Sequence, residues 1–168
     1  MLKRFILSLI IILVLIIGIL GYGYIQATRM PQNSPGDFLN AKPAKKGKVT
    51  VCIGNSITHG SVSFNYVDIL SSRLGKKGFI FINAGINSEL AYNVLERIDS
   101  VIKCKPDFIT IMIGTNDANA TMNRKNSERA IKNMGLPEKP TLEWYSENLI
   151  KICRELKDKT GFPFERFP

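Results

Sequence analysis

Residues 51–60 read VCIGNSITHG, and the fold turns on how that stretch is read. The apolar run from Lys48 to Ile53 ends abruptly in Gly54-Asn55-Ser56, which marks a buried strand stopping at a tight turn. Gly54 can take backbone angles that a residue with a Cβ resists. A helix is expected to start directly after it, so the Ser56 hydroxyl is placed at the carboxyl end of a strand. In open α/β sheets that end is where ligands bind. Taken alone, a serine on such a turn reads first as a helix cap. Its neighbours in the chain decide between cap and nucleophile.

Two more strands are predicted from short runs rich in Ile, Val and Phe: Phe79 to Asn83 (FIFIN) and Asp107 to Gly114 (DFITIMIG). Helical stripes lie between and after them. Tyr66, Ile69, Leu70 and Leu74 share one face before Gly75; Leu90, Val94, Ile98 and Val101 form a second stripe; Leu142, Tyr145, Leu149, Ile152 and Leu156 form a third that closes near Gly161. A β-α-β-α-β-α order with near-continuous apolar strands implies an α/β domain whose parallel sheet is covered on both sides, with right-handed crossovers. The carboxyl ends of the strands then share one edge. Each strand leads, on that edge, into a small and polar segment: GNSIT (54–58), NAGINS (83–88) and GTND (114–117). Ester hydrolysis by a serine needs a nucleophile, donors aimed at the oxyanion and a base. Ser56 offers the hydroxyl, and its own N–H, the Ser88 N–H and the Asn116 side-chain amide offer three donors.

These three segments, in this order, resemble the SGNH hydrolases, also called GDSL-like lipases or acylhydrolases. The first block of that family resembles GNSIT, with Asn55 where aspartate is commonest, and the third matches GTND without departure. The resemblance implies that Ser56 is the nucleophile and that Asn116 is the side-chain donor to the oxyanion. The second block, commonly N-x-G-x-x-G, is NAGINS here, so Ser88 stands in place of the glycine whose amide completes the hole. If that turn needs a positive φ, the serine is strained. The implied fold is a three-layer α/β/α sandwich with a parallel sheet, SGNH or flavodoxin-like, over residues 48–168. No cofactor and no metal are implied. The remaining polar loop residues Asn87 and Asp117 are expected to serve loop hydrogen bonding.

Upstream, the 21 residues from Phe5 to Ile25 carry no charge and make about 31 Å of helix, enough to cross a bilayer core. Lys3 and Arg4 precede them, which puts the N-terminus in the cytoplasm and the domain outside; an uncleaved anchor is favoured over a cleaved signal because GYGYIQATRM offers a poor small-x-small site. Residues 1–26 are thus read as cytoplasmic stub and anchor, and residues 27–47, rich in Pro, Gly, Asn and Lys, as a solvated linker. The net charge of +9 is uneven: residues 1–50 hold seven basic residues against Asp37, leaving only +3 for the rest. That excess flanks the apolar helix and lacks aromatic-basic interleaving, so no nucleic-acid partner is expected; the expected partners are an ester substrate and the membrane. Cys52, Cys104 and Cys153 are odd in number and lack CxxC spacing, which points to structural thiols.

The base is not found. The family's last block, Asp-x-x-His, supplies the base and the residue that orients it, and no such pair occurs. The single histidine, His59, lies three residues past Ser56 and reads as a helix-surface or pocket-rim residue. After Gly161 a fourth strand is expected, yet FPFERFP contains Pro163 and Pro168, which do not fit a central strand. The inference at this level is a coding sequence truncated or shifted in frame near Gly161, and a chain nearly inert without its base. Three readings compete: a membrane-anchored extracytoplasmic esterase acting on a lipid, an acylated glycan or a small ester; a non-catalytic module of the same fold that binds acyl-glycan or lipid; and a nucleotide-binding α/β domain. Against the last, neither GxGxxG nor GxxxxGK occurs after the first strand. Between the first two, retention of both Ser56 and Asn116 favours the enzyme.

Overall fold

The computed structural model describes residues 2–41 and 47–161. In chain order its elements are α1 (Leu2–Thr28), α2 (Pro35–Ala41), β1 (Lys48–Gly54), α3 (Ser56–His59), α4 (Tyr66–Leu74), β2 (Phe79–Gly85), α5 (Ala91–Glu96), α6 (Ile98–Lys103), β3 (Phe108–Met112), α7 (Thr115–Thr121), α8 (Arg124–Met134) and α9 (Leu142–Thr160). The described strands form one parallel sheet in the order β2-β1-β3, with Val51 paired to Ile82 on one side and Ile109 on the other. The apolar runs explain this order. β1 is the most continuously buried strand, and it takes the middle position.

On one face, Val49, Val51 and Ile53 meet Ile82, Ala84, Val94, Ile98, Val101, Ile152 and Leu156, so α5, α6 and α9 cover it. On the other, Cys52 and Phe81 pack with Val67, beneath Tyr66, Leu70 and Leu74 of α4. Burial of side chains of this size is worth about 1.5–3 kcal/mol each, which makes these two stripes the main source of stability. The pairing puts Phe108, Thr110 and Met112 on the α4 side of β3, but α4 packs over β2. Phe108 and Met112 are therefore 45% and 47% exposed. The expectation of a sheet covered on both sides holds for β1 and β2 and fails along this half of β3.

Two further departures have local causes. The single helix expected across Leu90 to Val101 is broken at Arg97 (φ −114°, ψ 11°), whose guanidinium turns back toward the strand end. Part of the stretch read as linker is packed. Ser34 and Asp37 cap α2 (Ser34 Oγ donates to Asp37 Oδ2 at 2.6 Å), Phe38 and Leu39 rest on the core, and the Asn83 N–H donates to the Asn33 carbonyl at 2.9 Å, on the outer edge of β2. Residues 42–46 of that stretch, and the segment with Pro163 and Pro168, lie outside the described residues. All three cysteines are free thiols; Cys52 and Cys104 are buried and Cys153 is half-buried. In α1, Ile6–Ile25 is long and apolar enough to cross a membrane, with a mean hydropathy of 2.9 and none of it buried.

Candidate active site

Ser56 is the first residue of α3, and it is not the cap. Asn55, 2% exposed, caps that helix: its side chain accepts the Ile57 N–H at 3.2 Å. The amide does the capping, so the Ser56 hydroxyl makes no hydrogen bond among the described residues and stays available at the end of β1. The helix sits directly on the strand ends. A Cβ at Gly54 would lie 2.1 Å from Thr58 Oγ1, and one at Gly85 would lie 2.2 Å from the His59 nitrogen, so both strands must end in glycine for α3 to seat. Asn83, fully buried, fixes the seat by donating through Nδ2 to the Thr58 carbonyl (2.8 Å) and to Asn65 Oδ1 (3.2 Å), while its Oδ1 accepts the Gly85 N–H (2.9 Å).

The turn after β2 is tied to the other two segments. The Ile86 N–H donates to the Gly54 carbonyl at 3.1 Å, Ser61 Oγ donates to Asn87 Oδ1 at 2.6 Å, and Asn116 Nδ2 donates to the Glu89 carbonyl at 2.9 Å. Only one of the two N–H bonds of the Asn116 amide is needed there. Asp117, 2% exposed, accepts the Ala91 N–H through Oδ1 at 3.0 Å; burial pushes its carboxyl up and that hydrogen bond offsets the shift in part. Its place is a loop tie, at the base of the site. Ser56 and Ser88 line one cavity, Ser88 and Asn116 line an adjoining one, and Arg129, Asn133 and Met134 of α8 border both.

Ser88 has φ +65°. The position is left-handed, where a serine costs about 1 kcal/mol or more relative to glycine. The strain foreseen for a serine in this turn is thus present. Ser88→Gly is expected to stabilise the domain by about 0.5–1 kcal/mol after the extra freedom of the unfolded glycine is counted, read as the shift of a urea unfolding midpoint. A lowered midpoint would mean that the Ser88 side chain carries a stabilising contact.

His59 closes α3. Its Nε2 is 2.7 Å from the Arg29 carbonyl, which can only accept, so Nε2 is the donor there; Nδ1 is buried without a partner among the described residues. The ring lines the cavity that Ser56 lines, as a rim residue. Two residues that no sequence motif singles out hold the turn from behind. Glu89 and Arg97 form a bidentate ion pair: Nε to Oε1 at 2.9 Å and Nη2 to Oε2 at 2.6 Å. Nη2 also donates to the Ala84 carbonyl at 2.8 Å. Burial pushes the Glu89 carboxyl up, and Arg97 pulls it back only in part. Among the described residues no group of three or more His, Cys, Asp or Glu is placed to hold a metal.

A family model for the GDSL-like lipase/acylhydrolase family matches residues 52–168. Among solved structures, the chain is similar to a variant of Axe2, an acetyl-xylooligosaccharide esterase from Geobacillus stearothermophilus, at 24% identity and a TM-score of 0.52, covering 68% of this chain and 57% of that one. It is also similar to TesA, at 19% identity and a TM-score of 0.50, covering 67% and 56%. These likenesses show the fold, and the chain spans little more than half the length of either structure. No curated protein matches it.

Proposed function

Because the chain belongs to the GDSL-like lipase/acylhydrolase family, we propose that its site is built to hydrolyse a carboxylic ester, with Ser56 as nucleophile and the N–H groups of Ser56, Ser88 and Asn116 as oxyanion donors. One observation carries the reading. The hydroxyl at the end of β1 is left unbonded because Asn55 takes the cap, and the Ser88 turn borders the same cavity. In the forward step Ser56 Oγ bonds to the carbonyl carbon, the C=O electron pair moves onto oxygen, and the three donors stabilise that charge. Collapse expels the alkoxide, which takes up the proton that left Ser56 and departs as the alcohol, and leaves an acyl-serine that water then cleaves. Asn116 is suited to this role because the Glu89 carbonyl fixes one of its N–H bonds and leaves the other for the substrate.

The proton of Ser56 needs an acceptor, and the one histidine does not supply it in place: Nε2 carries the hydrogen given to the Arg29 carbonyl, and Nδ1, the nitrogen that could accept, is buried with no hydrogen bond to Ser56 or to any other described residue. This favours, as a second reading, a module that binds an acylated glycan or lipid without cleaving it. Turnover of an aryl acetate by a chain that carries an Asp-x-x-His block, lost on Ser56→Ala, separates the two.

The apolar helix is proposed as an uncleaved anchor with the domain outside the cytoplasm, on the strength of Lys3 and Arg4 before the uncharged span. Protease added to intact cells is expected to remove the domain while the membrane stays closed. Digestion only after lysis would reverse the orientation.

A further inference from the structure

The cleft beside the Ser88 turn, about 240 Å³, is walled by amides and one guanidinium: Asn116 and Asn119 of α7, and Asn126, Arg129 and Asn133 of α8. The spacing of the last three, i, i+3 and i+7, puts them on one face of α8. Hydrogen bonding leaves this wall under-used. Asn126 Nδ2 donates to Asn119 Oδ1 at 2.9 Å and to the Asn119 carbonyl at 3.1 Å, which fixes both side chains while the Asn119 amide hydrogens and Asn126 Oδ1 stay uncommitted. Asn133 makes no side-chain hydrogen bond among the described residues. Arg129, an exposed side chain, likewise has no ion pair there. The apolar lining is limited to Leu90 and Ala120 at the floor, 1% and 2% exposed, and half-buried Ala130 and Met134.

We infer that this cleft holds the alcohol portion of the ester, and that this portion is a hydroxylated ring bearing a carboxylate, as in an acylated acidic sugar. The inference rests on the esterase reading for which bond is cut, but not for what is bound. Asn119 is left with donors, Asn126 with an acceptor and Asn133 with both, a mixed set that suits neighbouring hydroxyls, and the planar guanidinium matches a carboxylate with two parallel hydrogen bonds. A long acyl chain in the same place would desolvate these groups without replacing their water, and polar walls reject such ligands strongly. The volume is below the roughly 300–1,000 Å³ of pockets for larger ligands, in keeping with a single ring. α8 also carries Arg124, Lys125, Arg129 and Lys132 against Glu128 alone, so its field favours an anion.

The test uses the full chain in detergent micelles, titrated calorimetrically with three probes: a glucuronate-bearing xylo-oligosaccharide, its neutral counterpart and decanoate. The acidic sugar is expected to bind at least about tenfold tighter than the neutral one, the size expected of one charge-assisted contact. Arg129→Ala and Arg129→Gln should both erase that difference, while Arg124→Ala should preserve it. Equal binding of the two sugars by the native chain, a preference that survives both Arg129 variants, or decanoate as the tightest probe would overturn the proposal. The esterase reading fails separately: the acidic-sugar preference would persist while a chain carrying an Asp-x-x-His block showed no hydrolysis dependent on Ser56.

Discussion

Arg97→Ala is expected to destabilise the domain by about 3–5 kcal/mol, the largest loss for any single side chain near the site. The Glu89 side chain is 7% exposed and that of Arg97 19%, so water cannot replace the guanidinium once it is gone. The carboxylate would be left buried with none of its side-chain partners, and the Ala84 carbonyl would lose a 2.8 Å donor at the end of β2. The pair itself is expensive to assemble, as the upward push on the Glu89 carboxyl shows. Halving it is therefore far worse than replacing it whole. Glu89→Leu combined with Arg97→Met should recover most of the loss, because two apolar groups of similar volume leave no buried charge. Both effects are read from urea unfolding of the full chain in micelles. A loss under about 1 kcal/mol for Arg97→Ala would mean that solvent reaches Glu89, and that the Ser88 turn is held by Asn116 and Asp117 instead.

That pair shows where a sequence stops being legible. Arg97 interrupts an apolar stripe in which Leu90, Val94, Ile98 and Val101 keep helical spacing, so periodicity predicts one helix; the ion pair, which forms only in three dimensions, breaks it in two. The strands and the outer helices were legible because burial writes itself into their patterns: β1 and β2 as apolar runs, α4 and α9 as single stripes. α3, four residues and too few for a period, was expected only from its place after β1, and α8 reads as polar because only Ala130, Ile131 and Met134 reach the small cluster around Leu90 and Leu136. In residues 27–47 the Pro, Asn and Lys content masks Phe38 and Leu39, two side chains that suffice to seat α2 on the core. The three polar segments of the candidate site were legible from their places after three strands. The cap on α3 was not, since Asn55 and Ser56 are equally good caps on paper and only geometry assigns the task to Asn55.

The 168-residue chain is expected to hydrolyse an aryl acetate at close to the background rate, and a version given an Asp-x-x-His block is expected to turn it over in a manner abolished by Ser56→Ala. A serine hydroxyl is a weak nucleophile at neutral pH because the proton must leave as the new bond forms. Asn55 frees the hydroxyl but takes no proton from it, Asn116 and Ser88 are donors, and the accepting nitrogen of His59, Nδ1, is buried with no hydrogen bond to Ser56. Loss of one triad member can leave roughly 10³–10⁴-fold catalysis over water from the oxyanion hole and binding. That bounds the rate from above for the chain with a folded site and no base. Matched samples, checked by circular dichroism, make the comparison fair. Equal activity of the two versions would place the base within the chain itself, and the unpartnered Nδ1 of His59, beside the same cavity as Ser56, would be the atom to test by His59→Gln. Full activity in the extended version after Ser56→Ala would instead remove Ser56 from the chemistry and leave the end of β1 as a binding surface.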